Sequence, residues 1–234
     1  MVTARPLPPR VCDRPRRDAR GQGRSLVRLR LGSRLRVAVA DQRLLARVPA
    51  TRTDLADTAG SPAARRTERL AARTLLRLLL ADRLGPPAAD TPIAVRRTGQ
   101  PYLPQWPGIG ISLSHDAGTV AAAIGVGVAV GVDVQSPVPA PPALLRRCCT
   151  PASRAALDRL PEAARGGEFA WIWTVQEACV KATGSGLAGA PWSIPVPYRR
   201  RAGRWADVCW VSLRGYSRLP VTVAWRDAVP GRRR

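Results

Sequence analysis

Two periodicities alternate along the chain. Residues 35–40 form a short aliphatic run with one arginine, Arg36, and are expected to be the first strand. Residues 62–84 change to a helical period. Ala71, Leu75, Leu78 and Leu79 fall at i, i+4, i+7 and i+8, Arg66, Arg69, Arg73 and Arg77 are expected on the opposite side, and Gly85-Pro86-Pro87 ends the run. Residues 109–113 and 120–124 are strand-like, with turn chemistry between them in Ser114-His115-Asp116-Ala117-Gly118. Beyond a glycine-rich turn at 125–127, residues 130–135 form a further predicted strand, with Val130, Val132 and Val134 on one face and Gly131, Asp133 and Gln135 on the other. Thr150-Pro151 is a helix start, with threonine as N-cap and proline at the first position, and the helix is expected to run to Leu160. A second helix is expected from Glu168 to Thr183, stopped by Gly184-Ser185-Gly186, and two short strands follow at 208–213 and 221–225. Strand, helices and strands recur in both halves without a residue-level repeat.

Composition adds a strong electrostatic signature. The chain has 234 residues, and 38 basic side chains against 16 acidic ones give a net charge of +22, a field that draws polyanions. One basic residue, Lys181, is lysine, so the other 37 are arginines, spread along the chain instead of gathered in a block. That spread weakens a nucleic-acid reading and singles out Lys181, as does His115, the one histidine. The arginine- and proline-rich first 33 residues are expected to be a disordered tail, without the apolar core of a secretion signal, and residues 228–234 a basic tail. The longest apolar run, 119–134, contains Asp133 and is too short to span a membrane. Five cysteines form no CxxC pair and accompany no histidine at metal-ligand spacing, which argues against a zinc site or a disulfide framework and for a cytoplasmic protein.

Three segments could carry chemistry. In residues 171–181, Trp173, Glu177 and Lys181 share one helical face, with the carboxylate one turn after the aromatic and one turn before the ammonium. An exposed Glu–Lys pair is the plain alternative and would contribute only a few tenths of a kcal/mol (about 0.2–0.5). The tryptophans and core-type residues around it favour a partly buried polar face. Asp133 lies in an aliphatic strand, where an unpaired carboxylate is costly, so it requires a cation or hydrogen-bond donors; a loop cap or an arginine partner would serve as well as a metal. Two carboxylates with waters and phosphates are how magnesium is usually held. Ser112-Leu113-Ser114-His115 lacks a GxSxG elbow, so it suggests phosphate contacts more than a serine hydrolase. Gly125-Val126-Gly127 is only a turn.

The ordered motifs Gly99-Gln100-Pro101-Tyr102, Ile111-Ser112-Leu113-Ser114-His115, Gly131-Val132-Asp133-Val134 and Trp173-Thr174-Val175-Gln176-Glu177-Ala178-Cys179-Val180-Lys181-Ala182-Thr183-Gly184 resemble those of the Sfp-type 4′-phosphopantetheinyl transferases, over about residues 35–225. The resemblance implies an α/β (α+β) fold of two similar lobes related by a pseudo-twofold axis, at 34–129 and 130–227, with the active site between them. It implies transfer of the phosphopantetheine arm of coenzyme A to a serine of an acyl or peptidyl carrier protein of fatty-acid, polyketide or nonribosomal peptide synthesis, releasing 3′,5′-ADP. By the same resemblance Asp133, Glu177 and Gln135 would hold Mg2+. Glu177 would take the serine proton, Lys181 would neutralise phosphate charge, and Ser114, His115 and Gln100 would join Lys181 in contacting coenzyme A.

Three residues depart from the family pattern. Gln135 stands where many members have a third acid, Gln176 replaces a lysine before the glutamate, and Gln100 replaces the lysine of a Gly-Lys-Pro motif. The last two changes are expected to remove cations facing the coenzyme, for which Arg96 or Arg97 could compensate. The implied enzyme is a monomer with acidic carrier partners. An arginine-rich nucleic-acid-binding protein and a weakly active family member are the alternatives.

Overall fold

The computed structural model describes residues 26–227; the expectations for residues 1–25 and 228–234 lie outside the described residues. The strands are β1 (Leu26–Leu31), β2 (Leu35–Asp41), β3 (Ala94–Val95), β4 (Pro101–Tyr102), β5 (Ile109–Asp116), β6 (Thr119–Val126), β7 (Val128–Val134), β8 (Ala202–Trp205), β9 (Val208–Ser212) and β10 (Val221–Asp227). The helices are α1 (Gln42–Leu45), α2 (Arg52–Thr58), α3 (Ala63–Leu84), α4 (Pro142–Cys148), α5 (Pro151–Asp158) and α6 (Glu162–Thr183). All pairings within the sheets are antiparallel. The two large sheets have the orders β1-β2-β6-β5 and β7-β10-β9-β8, so the fold is α+β.

Strand alternation supplies each sheet with two apolar faces. In β2, Ala38 and Ala40 turn towards α3, where they meet Ala71, Leu75, Leu76, Leu79 and Leu80. Val37 and Val39 turn the other way, into a core shared with Val130, Val132 and Val134 of β7 and Val221 and Val223 of β10. On the far side of the second sheet, Ala224 and Trp210 pack against Phe169, Ile172 and Val175 of α6. The order of layers is helix, sheet, sheet, helix.

The sheets also approach each other at their edge strands β5 and β7. The hydroxyl of Ser112 accepts a hydrogen bond from the Val132 amide at 2.9 Å, and that of Ser114 accepts one from the Val134 amide at 3.2 Å. Two β5 side chains therefore satisfy donors on the free edge of β7. A Cβ at Gly110 would lie 2.2 Å from the Val128 carbonyl oxygen, so this junction requires glycine there.

Several expectations change. Residues 26–31, placed by sequence in the tail, form β1, paired along its whole length with β2. Ser114, His115 and Asp116 belong to β5, and the turn narrows to Ala117 and Gly118, both at positive φ (44° and 76°), as a two-residue hairpin demands. Helix α6 starts six residues before the expected Glu168. Arg73 and Arg77, expected on the side opposite the apolar stripe, are buried on the Asp54 carboxylate of α2, Arg73 at 2.6 Å and Arg77 by two bonds, and Arg77 also donates to the Ala89 and Thr91 carbonyls. Burial pushes the Asp54 pKa up, but hydrogen bonds and charge from Arg77 and Arg73 outweigh it, and the net shift is downward.

Candidate functional site

Gly131 brings β7 and α6 together. A Cβ on it would lie 2.0 Å from the Ala178 carbonyl oxygen and 2.6 Å from the Ala182 amide nitrogen, so the backbones touch where a side chain would hold them apart. This contact sets Asp133, two residues along β7, against Lys181, three residues along α6. Lys181 Nζ donates to Asp133 Oδ1 at 2.6 Å, to the Val132 carbonyl at 3.1 Å and to Ser114 Oγ at 3.2 Å. Ser114 Oγ donates to the same Asp133 oxygen at 2.9 Å. Asp133 is thus a buried carboxylate with an ammonium and a hydroxyl on one oxygen, as its aliphatic setting requires.

These residues line a cleft of about 360 Å3 together with His115, Asp116, Gln135, Trp173 and Glu177. Asp133 and Glu177, from different elements, therefore face one space. Burial pushes the Glu177 carboxyl above the ordinary carboxylate range, the Asp133 charge adds to the rise, and Lys181 partly opposes it. Gln135 donates its amide nitrogen to Asp116 at 3.1 Å, and Asp116 also accepts from the hydroxyl of Ser136 at 2.6 Å. Gln100 lies in an adjoining cavity of about 310 Å3, bounded also by Glu177, Lys181, Ile111 and Val180, and donates to the Lys181 carbonyl at 3.4 Å.

The structure brings Ser114, His115, Asp133, Gln135, Glu177 and Lys181 into one cleft and places Gln100 in the neighbouring one. It corrects the expectation for Gln176, which is buried on the opposite side of α6 and donates to the Cys148 and Ile194 carbonyls at 2.7 and 2.9 Å. Glutamine at 176 therefore takes no cation away from the cleft. Two participants were missed. Asp116, a turn residue by sequence, is the last residue of β5. Glu68 of α3 accepts from His115 Nδ1 at 3.0 Å and from the Gly118 amide at 3.3 Å; its only sequence signal is an acid within an arginine-rich helix.

Three residues of the cleft could hold a divalent cation, Asp133, Glu177 and Gln135. Lys181 and Ser114 take one oxygen of Asp133 and leave Oδ2; among the described residues Glu177 has no hydrogen-bond or ion-pair partner. Gln135, with its nitrogen given to Asp116, keeps an amide oxygen. No cluster of three His, Cys, Asp or Glu residues able to hold a metal occurs among the described residues, so an ion would rest on two carboxylates and neutral oxygens, the usual manner for magnesium.

An antiparallel α+β framework thus carries three acids and one ammonium around an open cleft. Residues 129–223, which contain β7, α6 and the Asp133–Glu177–Lys181 group, match the family model of the 4′-phosphopantetheinyl transferase superfamily, which supports a transferase. A search of curated proteins found no match for the chain. No helix among the described residues is long and apolar enough to cross a membrane.

Proposed function

We propose that this protein is an Sfp-type enzyme that transfers the 4′-phosphopantetheine arm of coenzyme A to a serine of an acyl or peptidyl carrier protein. The observation that carries the reading is that Asp133, Glu177 and Lys181 face one cleft inside the segment that matches the superfamily. Two sheets, each with a long helix on its outer face, support a two-lobed reading, with the first sheet beginning at Leu26, before the expected 34, and the second at Val128, before the expected 130.

In the proposed reaction the carrier serine oxygen bonds to the β-phosphorus of coenzyme A, the bond from that phosphorus to the bridging oxygen breaks, and 3′,5′-ADP leaves. The serine proton passes to Glu177, whose raised pKa and unpaired carboxylate suit a base. Lys181, an ammonium point charge on the cleft wall, neutralises charge on the leaving phosphate. His115 binds a phosphate oxygen from β5, Ser114 stands beside it with its hydroxyl proton held by Asp133, and Gln100 bounds the adjoining space for the rest of the coenzyme. Asp133, Glu177 and the Gln135 oxygen would hold Mg2+, which would spread the charge of the pyrophosphate as it cleaves.

The test is mass spectrometry of an apo carrier incubated with the protein, coenzyme A and Mg2+. The phosphopantetheine mass is expected on the carrier, and Glu177→Ala is expected to slow its appearance about 10²–10⁴-fold. Unmodified carriers from several unrelated pathways would overturn the assignment.

A further inference from the structure

Glu68 stands behind His115, a cleft residue, and both lie outside the segment that matches the superfamily. The acid lies on the first half of α3, and its two carboxylate oxygens are divided between a strand and the turn of one hairpin, Oε2 on the His115 ring of β5 and Oε1 on the amide of Gly118 in the turn. A carboxylate can only accept, so the ring nitrogen facing it, Nδ1, carries a proton. His115 borders the cleft, and its remaining nitrogen, Nε2, is left for whatever enters there.

We infer that Glu68 is a positioning residue: it holds His115 by Nδ1 so that Nε2 is presented to a phosphate-bearing ligand in the cleft. This rests on the proposed reaction for the identity of the ligand, coenzyme A or 3′,5′-ADP. A phosphate oxygen also only accepts, so a ring held between Glu68 and a phosphate donates from both nitrogens and is the imidazolium. The charged groups around the ring's cleft are Glu68 from α3, Asp116 from β5, Asp133 from β7, and Glu177 and Lys181 from α6. Glu68 is the acid bonded to the ring itself. A bound phosphate therefore faces a ring backed by a fixed anion, the arrangement by which an outer partner fixes the tautomer and orientation of a binding histidine.

Because His115 is the one histidine in the chain, its ring can be read without ambiguity in the tag-free, full-length protein. Long-range 1H–15N spectra at mildly alkaline pH are expected to show a ring protonated at Nδ1, and added 3′,5′-ADP is expected to protonate both nitrogens. In Glu68→Ala the free ring should revert to the Nε2-protonated form, and 3′,5′-ADP should no longer produce the cation. In the transfer assay the KM for coenzyme A should rise about tenfold while kcat at saturating coenzyme falls less than threefold, the loss of a ground-state contact. Glu68→Gln keeps an acceptor for Nδ1 and should restore the tautomer but not the full affinity. An unchanged ring spectrum in Glu68→Ala, or a lower thermal midpoint with unaltered coenzyme KM, would reduce Glu68 to a staple between α3 and the hairpin. If Glu68→Ala does not fold, a Glu68→Gln ring without a proton on Nδ1 would overturn the inference equally. A wild-type protein that transfers nothing would refute the proposed reaction, while the 3′,5′-ADP spectra would still decide the role of Glu68.

Discussion

At the scale of single residues, Glu177 is set by competing neighbours. Burial and the Asp133 charge favour its protonated form, and Lys181 favours its ionised form. In metal-free protein, Lys181→Met should therefore move the Glu177 titration, followed by carboxyl 13C NMR, to higher pH, and Asp133→Asn should move it to lower pH. A titration that stays put in both variants would disprove this account of the cleft's electrostatics. The same shift affects stability. A carboxyl whose pKa is higher in the folded protein than in the unfolded one stabilises the fold below the unfolded value, and that contribution is lost as pH rises through the folded value. Ionised Glu177 thus weighs on the fold at neutral pH. Glu177→Gln is expected to abolish transfer yet raise the thermal midpoint at pH 7, at about 2–4 °C for each kcal/mol recovered, while leaving it unchanged in acid where Glu177 is already protonated. Asp133 and Lys181 were legible in sequence because each violates its surroundings, an acid among valines and one lysine among arginines. Glu68 and Asp116 were not legible, because their partners lie 47 and 19 residues away and nothing local distinguishes them from solvated acids.

At the scale of elements, the site depends on one close approach. The two long helices and most strands could be read from periodicity, but the contact that gives them meaning could not. Gly131 reads as an ordinary strand glycine until α6 is seen lying on it. Helix α6 also hides its faces: Ile172, Val175, Gln176, Cys179 and Val180 are all buried, so hydrophobic period alone could not show that Gln176 points away from Glu177. Arg73 and Arg77 were misassigned for a related reason, since their partner Asp54 lies on α2, a short polar helix with little apolar signal. Gly131→Ala should force α6 off β7, separating Lys181 from Asp133. Transfer is expected to fall more than about tenfold, and stability by about 1–3 kcal/mol from overpacking, measured by denaturant unfolding. Full activity in Gly131→Ala would mean that the site tolerates a displaced helix and does not rest on this contact.

At the scale of the whole molecule, the distant field and the local site have opposite signs. The net charge is +22, yet the cleft contains Asp116, Asp133 and Glu177, with Glu68 behind His115. Local acids suit a cation, whereas the surrounding arginines attract anionic macromolecules from beyond contact range. Not every arginine contributes equally to that field. Arg73, Arg77 and Arg214 are committed to Asp54 and Glu168, so steering falls to exposed arginines. Steering of this kind acts on encounter and is screened within about 10 Å at 0.1 M salt, whereas contacts inside the cleft are screened less. For an acidic carrier, kcat/KM should therefore fall steeply as sodium chloride is raised at fixed coenzyme A, while kcat at saturating carrier changes little. A salt-independent kcat/KM would remove the field from the account of carrier choice. The same experiment separates transfer from the nucleic-acid alternative. A short RNA should slow transfer only at low salt, as a competitor for the same field, and binding that persists in high salt and ignores coenzyme A would favour an RNA-binding protein instead.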